Sequence, residues 1–143
     1  MASWVILVGS PYDQGKCSTA ATRIANALRE LGNSVALFSC DRIAVHGCIG
    51  CDQCKESFTC IYSDDLARIF SAIDAADAVL VVSPIYFAGV PSQFKAVLDR
   101  FQPYFWKRQQ QIEQGRPLPA KRALYVSLVG EGGDPYGTAP AQA

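Results

Sequence analysis

Four of the six cysteines of this chain lie in one short segment, residues 48–60. They are Cys48, Cys51, Cys54 and Cys60, spaced as Cys-x2-Cys-x2-Cys with a fourth cysteine after five further residues. A [4Fe–4S] cluster takes four thiolates, and a run this compact suits it. Zinc more often uses two Cys-x2-Cys pairs separated by a longer segment. The spacing therefore favours an iron–sulfur cluster, while zinc, disulfides and free redox-active thiols stay open.

Composition bears on these alternatives because it indicates the compartment. The 13 basic and 13 acidic residues cancel, which gives no electrostatic reason to expect binding to nucleic acid or to a membrane surface. No apolar run approaches the roughly 18 residues of a membrane helix, and the first residues have the pattern of a strand rather than of a signal peptide. We expect a cytoplasmic protein, in which clustered cysteines serve more often as metal ligands or redox groups than as disulfides.

A second segment with ligand-binding chemistry, residues 9–18, lies between the first predicted strand and the first predicted helix. Free backbone N–H groups at a helix N-terminus bind phosphate. The segment departs from the nucleoside triphosphate pattern, because one extra residue separates Gly9 from Gly15 and a cysteine replaces the Mg²⁺-binding hydroxyl. A monophosphate such as that of FMN fits better, and a turn without a ligand is the alternative. The predicted phosphate-binding residues are Ser10, Tyr12, Gly15, Lys16, Cys17 and Ser18.

The loop after the third predicted strand, residues 83–91, is aromatic, apolar and bracketed by prolines. Doubly wound sheets bind ligands beyond the carboxyl ends of their strands, where the strand order reverses. This loop would present an apolar wall to a flat ring there, and the alternative is that Tyr86 and Phe87 only close the core. The glycine-bearing loop after the fourth strand would approach the same crevice. The predicted ring-binding residues are Pro84, Ile85, Tyr86, Phe87 and Gly130.

Apolar patterning predicts the elements that position these loops. The predicted strands are residues 4–8, 35–38, 78–82 and about 122–128, and the first two are predicted to be buried. Apolar residues at helical spacing predict helices at about residues 17–31 and 64–73, and a third helix from Pro91 past Trp106. A polar connection is predicted at residues 107–119. This alternation predicts an α/β fold, a doubly wound parallel sheet of order 2-1-3-4-5 in three α/β/α layers.

The chain length fits one domain, residues 1–143, with a cysteine-rich loop at residues 40–62. From residue 130 the sequence is rich in Gly, Pro and Ala and has no further strand or helix pattern. A five-stranded sheet of this order needs one more strand and helix. The tail at residues 130–143 therefore indicates a truncated chain, or an edge that another subunit completes.

Several motifs occur together in order along the chain. They are Gly9-Ser10-Pro11 with Gly15 and Ser18, the cysteine run, Asp64-Asp65, residues 83–87, and Lys95-x3-Asp99-Arg100. In this combination, over about residues 4–128, the chain resembles the flavodoxin-fold NAD(P)H-dependent FMN reductase group, and most of all its iron–sulfur flavoprotein branch. The first loop departs from that family, in which Arg, Asn and Thr usually stand where this chain has Tyr12, Lys16 and Cys17. Lys16 can supply the charge lost with the arginine.

The resemblance implies a flavodoxin-like domain that binds the FMN phosphate at residues 10–18 and the FMN ring at residues 84–87. It further implies an FMN-dependent oxidoreductase that accepts electrons from NAD(P)H or a ferredoxin-type carrier, relays them singly through the cluster, and forms a homodimer or tetramer. Flavin carries the chemistry, so no catalytic side chain is predicted. Two other functions stay open: a non-enzymatic flavodoxin-like electron carrier, and a zinc or redox-thiol module on the same scaffold.

Overall fold

The computed structural model describes residues 1–117 and 121–128, which contain four strands and five helices. In chain order these are β1 (Ser3–Val8), α1 (Lys16–Glu30), β2 (Ser34–Ser39), α2 (Cys54–Ser57), α3 (Leu66–Ala75), β3 (Ala78–Pro84), α4 (Ser92–Asp99), α5 (Gln102–Glu113) and β4 (Arg122–Leu128). The strands pair in parallel in the order β2-β1-β3-β4. The predicted α/β fold and the first four positions of its strand order are confirmed. The tail predicted at residues 130–143, with Gly130, lies outside the described residues.

Strand β1 is buried on both faces, which explains why its sequence is apolar at consecutive positions. Val5 and Leu7 belong to one core cluster, and Ile6 and Val8 belong to another. On the first face the sheet packs against buried residues of α3 and α4, namely Leu66, Ile69, Ile73, Phe94 and Val97. On the second face it packs against Cys17, Ala21 and Ala25 of α1. Helices therefore cover both faces, as a three-layer arrangement requires.

Strand β2 is less buried than its apolar sequence predicts. It lies at the end of the strand order, paired only with β1 among the described strands. Its Leu37 is 38% exposed, and none of its residues is fully buried. The prediction of a strand there is confirmed, but the prediction that it is buried on both faces is wrong because an edge position leaves part of each face open.

The third predicted helix is wrong in its extent, because the structure divides it into α4 and α5 at Arg100 and Phe101. Pro103 stands in the first turn of α5, where a missing N–H is tolerated, and in a continuous helix its ring would clash with the preceding turn. Helix α5 then runs to Glu113 through residues predicted as a connection, since Gln, Lys and Arg are good helix formers. No helix in the described ranges has the length and apolar character needed to cross a bilayer.

Lys121 closes the C-terminus of α3. Its ammonium donates hydrogen bonds to the carbonyls of Ile73, Asp74 and Ala76, at 2.5, 2.8 and 2.7 Å. The Ile73 carbonyl also accepts from the Ala76 N–H at 3.2 Å. Carbonyls at the end of a helix lack their full set of intrahelical partners, and a cation at this end also complements the helix dipole. We expect Lys121→Met to lower the free energy of unfolding by about 1–2 kcal/mol, measured by urea titration. Lys107→Met is the control, and a loss for Lys121→Met within about 0.5 kcal/mol of that control would argue against the cap.

Candidate functional site

The loop between β1 and α1 is shaped by its own serines. The buried Ser10 accepts a hydrogen bond at its Oγ from the Tyr12 N–H, at 3.1 Å, and Ser18 Oγ donates to the Tyr12 carbonyl at 2.9 Å. Gly15 precedes the first turn of α1, and no side chain caps that helix end. The first N–H groups of α1 are therefore available to an anion. Lys16, at the same end, is exposed to solvent.

Cys17 is the member of this loop whose side chain faces the protein interior. It is 4% exposed and packs in the core cluster between α1 and the sheet. Burial raises the pKa of its thiol above the ordinary value. A helix N-terminus can activate a thiol, but burial outweighs that effect at Cys17. Its predicted part in cofactor binding accordingly rests on its backbone N–H.

Gly9 brings residues 9–18, called the phosphate loop here for their predicted role, close to the loop that follows β3. Its N–H donates to the Val82 carbonyl at 2.8 Å. A Cβ on Gly9 would stand 2.7 Å from Ser83 Oγ and 2.9 Å from Phe94 Cγ, and both of those side chains are fully buried. Only glycine permits this approach, which places the two predicted ligand-binding loops next to each other at the carboxyl edge of β1 and β3.

The loop after β3 folds into a tight turn with its aromatic residues outward. Tyr86 and Gly89 exchange two backbone hydrogen bonds of 2.9 and 3.0 Å, and Phe87 and Ala88 between them have left-handed φ angles of 49° and 60°. Tyr86 is 40% exposed and Phe87 is fully exposed, so the alternative that they close the core is wrong. Non-glycine residues in this conformation are strained, and such strain is concentrated at functional sites.

Tyr86 connects the aromatic loop with the phosphate loop. The pKa of its hydroxyl is raised, first by burial of that group and then by the nearby Tyr12 and Cys17. Pro84 and Ile85 are half-buried behind it. The predicted FMN residues of the two loops are therefore neighbours, apart from Gly130, whose position is not described.

The four clustered cysteines line one cavity of about 330 Å³. Its other lining residues include Asp99, Arg100 and Trp106, so it lies between the cysteine loop and the start of α5. We call it the four-cysteine cavity. All six cysteines of the chain are free thiols, which does not support the disulfide alternative. Burial first, and then the other three clustered cysteines, raise the pKa of Cys54, as expected for sulfurs that approach one another.

The distances between these thiols bear on whether they could hold a single zinc ion or an iron–sulfur cluster. In the described parts of the chain, no three His, Cys, Asp or Glu side chains stand close enough to hold one metal ion. Tetrahedral zinc with Zn–S bonds of 2.3 Å requires sulfurs about 3.8 Å apart. A [4Fe–4S] cluster binds each thiolate at a different iron, so its ligands surround a larger volume. Four cysteines around one cavity supply the number and type of ligands that such a cluster takes.

A buried ion pair fixes the position of the cysteine loop. Arg100 Nη1 donates to Asp64 Oδ2 and to the His46 carbonyl, both at 2.8 Å, and Nη2 donates to Asp64 Oδ1 at 3.3 Å. The two side chains are 2% and 7% exposed. Asp64 also accepts hydrogen bonds from the N–H groups of His46 and Leu66. The pair thus joins the end of α4 to both ends of residues 46–64, which contain every clustered cysteine.

The sequence pointed to these residues without showing their pairing. Asp99 and Arg100 are adjacent in a motif, but Asp99 is exposed and pairs with Lys95, as i,i+4 spacing predicts. Arg100 turns inward to Asp64. His46 is exposed, and its ring stacks on Tyr62 at 4.9 Å. An arginine directly after an amphipathic helix and an aspartate directly before another were the available signals, and they do not identify each other.

The stability of the protein should depend on the charge of Asp64. Burial acts to raise the pKa of this carboxyl, but hydrogen bonds from Arg100 and from two backbone N–H groups, with the charge of Arg100, hold that pKa below its ordinary value of 3.8. A carboxyl with a lowered pKa in the folded state stabilises the fold above its unfolded pKa and loses that effect as pH falls through the folded value.

We therefore expect the stability advantage of the wild type over Asp64→Asn to be constant from pH 7 to about 5 and to shrink below about pH 4. Urea unfolding of both proteins between pH 3 and 7 measures it. An advantage that does not change over this range would contradict the assignment of the lowered pKa to Asp64.

Comparison with known proteins places these loops in context. The family described as NADPH-dependent FMN reductase matches residues 2–138. An iron–sulfur flavoprotein of Methanocaldococcus jannaschii is 35% identical over 95 residues, which cover 66% of this chain and 49% of that protein. An iron–sulfur flavoprotein of Archaeoglobus fulgidus is 29% identical over 98 residues, which cover 68% of this chain and 44% of that protein. The chain spans about half the length of the curated relatives that it matches.

Solved structures support the same fold. A flavone reductase aligns with a TM-score of 0.65 at 17% identity, covering 96% of this chain and 46% of that one. An NAD(P)H:quinone oxidoreductase from Methanothermobacter marburgensis aligns with a TM-score of 0.65 at 14% identity, covering 92% and 85%. At these identities the likeness supports a flavodoxin-like fold and nothing finer.

Proposed function

Because the chain belongs to the NADPH-dependent FMN reductase family, we propose that it binds FMN and passes electrons from NAD(P)H through it to an acceptor. The observation that carries this proposal is the approach at Gly9, which sets an uncapped helix N-terminus beside an outward-facing aromatic loop. FMN requires both, since one end is a phosphate and the other a flat ring. When bound, FMN would supply hydride and single-electron chemistry.

The phosphate loop would hold the anionic end of the cofactor. The N–H groups of the first turn of α1 donate to phosphate oxygens, and Lys16 contributes positive charge at the same place. Ser10 and Ser18 keep the loop in shape through Tyr12. No residue is needed to hold Mg²⁺ for a monophosphate.

The loop after β3 would orient the ring. Tyr86 and Phe87 offer aromatic faces, and the paired backbone groups of the turn hold them in place. The role of this chain is thus to bind and orient, and none of its side chains is assigned a proton transfer. NAD(P)H is proposed as the electron donor; a ferredoxin-type carrier is the other candidate partner, and a homodimer or tetramer the proposed assembly.

We also propose that the four clustered cysteines hold a [4Fe–4S] cluster. The cavity that all four residues line supports this. Names of curated relatives point the same way. The cluster would let the protein exchange single electrons with an external acceptor.

An anaerobically reconstituted sample tests both cofactors by its visible spectrum. Bands at about 375 and 450 nm are expected for bound flavin, with a broad shoulder at about 400 nm for the cluster. A protein that takes up neither would contradict the proposal. Steady-state NADPH oxidation then separates an enzyme from an electron carrier: turnover no faster than that of free FMN would identify a carrier.

Replacing one clustered cysteine should separate the two cofactors. Cys54→Ser removes a proposed ligand, so the 400 nm shoulder and about four irons per chain are expected to be lost while the flavin bands remain. Cys40→Ala is the matched control, because Cys40 is buried in the core and burial, followed by the charge of Asp41, raises its pKa to about 12. Full iron content in Cys54→Ser would exclude this ligand set.

A further inference from the structure

One of the three guanidinium nitrogens of Arg100 has no hydrogen-bond partner in the described residues. Both terminal nitrogens of the guanidinium are used by Asp64 and the His46 carbonyl, but Nε is buried and bonds to nothing in the described residues. The guanidinium also lies over the Tyr62 ring, 4.9 Å from its centroid. That contact uses the face of the group, whereas the Nε–H lies in its plane. Buried donors are rarely left unpaired, so a partner is expected here.

Cys60 is placed to be that partner. It lines the four-cysteine cavity together with Arg100, and both residues also border the second cavity, of about 260 Å³, between α3 and α5. Cys60 is therefore a neighbour of Arg100 on the walls of two cavities, while the Nε of Arg100 has no partner in the part of the chain that the structure describes.

We infer that Arg100 donates its Nε–H to the Cys60 sulfur when that sulfur ligates the cluster, and that this bond raises the reduction potential of the cluster. The inference rests on the proposed [4Fe–4S] site. Hydrogen bonds to ligating sulfurs and net local charge set such potentials. The reduced cluster carries one more negative charge than the oxidised one, so a donor stabilises it more. Asp64 and the His46 carbonyl make Arg100 a positioning residue with a fixed orientation.

Two variants test the bond at constant local charge. Arg100→Lys keeps a cation opposite Asp64 but has no donor at the Nε position, and Asp64→Asn/Arg100→Met removes both charges and the donor. Each is expected to lower the equilibrium constant for one-electron reduction of the cluster about tenfold. This corresponds to a reduction potential lower by about 59 mV. The measurement is a redox titration followed by electron paramagnetic resonance on the reconstituted full chain, with the FMN dissociation constant as control. If the equilibrium constant for reduction in both variants stays within about twofold of the wild-type value, the inference is overturned.

A measurement on the wild type decides the question even if the variants do not hold a cluster. With ¹⁵N in the guanidino group of arginine, pulsed electron–nuclear double resonance of the reduced cluster should show a coupled ¹⁵N. The backbone N–H of Gly50, 3.5 Å from Cys48 Sγ, gives no ¹⁵N signal with this label. A cluster that forms but shows no coupling to an arginine ¹⁵N overturns the inference about Arg100 and leaves the cluster assignment intact. FMN binding without any cluster overturns the cluster assignment and the inference with it.

Discussion

Replacing Arg100 with methionine is expected to lower the free energy of unfolding by about 3–5 kcal/mol. Methionine fills much of the same volume but leaves Asp64 charged and without its partner in a site where its side chain is only 7% exposed. The cost arises from that uncompensated buried charge rather than from lost packing. Urea unfolding at pH 7 measures it directly.

A double variant separates the charge from the volume. In Asp64→Asn/Arg100→Met no charge remains buried, so most of the lost stability should return. Lys95→Met is the surface control: the Lys95–Asp99 pair is exposed, and its loss is expected to cost less than about 0.5 kcal/mol. A cost for Arg100→Met as small as that of Lys95→Met would contradict the structural role of the buried pair.

The pair also explains how a loop with little regular structure is held at one place. Residues 46–64 contain only the single turn of α2, and most of their side chains are exposed. Asp64 ends this segment two residues before the start of α3, while Arg100 directly follows α4 on the same face of the sheet. The rigid layer of α3 and α4 thereby positions both ends of the loop, which is what a preformed set of four ligands requires.

The sheet was predictable because its strands record burial locally. β1, β3 and β4 begin and end within two residues of the predicted limits, and in β1 and β3 the consecutive apolar residues belong to the cores on the two faces of the sheet. The same pattern predicted that β2 is buried, which is wrong. Apolar residues also occur in edge strands, and the position of a strand in the sheet is not encoded in its own sequence. The division between α4 and α5 depends on one proline and on an arginine that turns inward. The spacing of apolar residues continues across both positions, so it predicts a single helix.

The site was predictable in its chemistry but not in its connections. Cysteine spacing and the glycine-bearing loop after a strand mark groups suited to binding ligands, because backbone geometry restricts which residues can stand there. The Arg100–Asp64 pair joins residues far apart in the chain, and nothing local distinguishes Arg100 from a surface arginine. Likewise, Gly9 is required by the approach of Ser83 and Phe94, contacts that only the folded sheet creates.

Adding a single methyl group at Gly9 is expected to weaken FMN binding at least tenfold. In Gly9→Ala the new Cβ would stand 2.7 Å from Ser83 Oγ and 2.9 Å from both Ser83 Cβ and Phe94 Cγ. These side chains are fully buried, so the phosphate loop must shift away from the loop after β3. Overpacking of this kind costs about 1–3 kcal/mol. Fluorescence quenching of FMN gives the dissociation constant, and urea unfolding gives the stability.

Two further variants make this result specific. Gly47→Ala is the matched control, because a Cβ there meets nothing within 4 Å, and both its stability and its FMN affinity should match the wild type. Ser83→Gly in the Gly9→Ala background removes two of the three close contacts and should restore part of the affinity, with Phe94 accounting for the rest. If Gly9→Ala instead loses stability while it binds FMN as tightly as the wild type, then the approach at Gly9 serves packing alone, and FMN does not bridge the two loops.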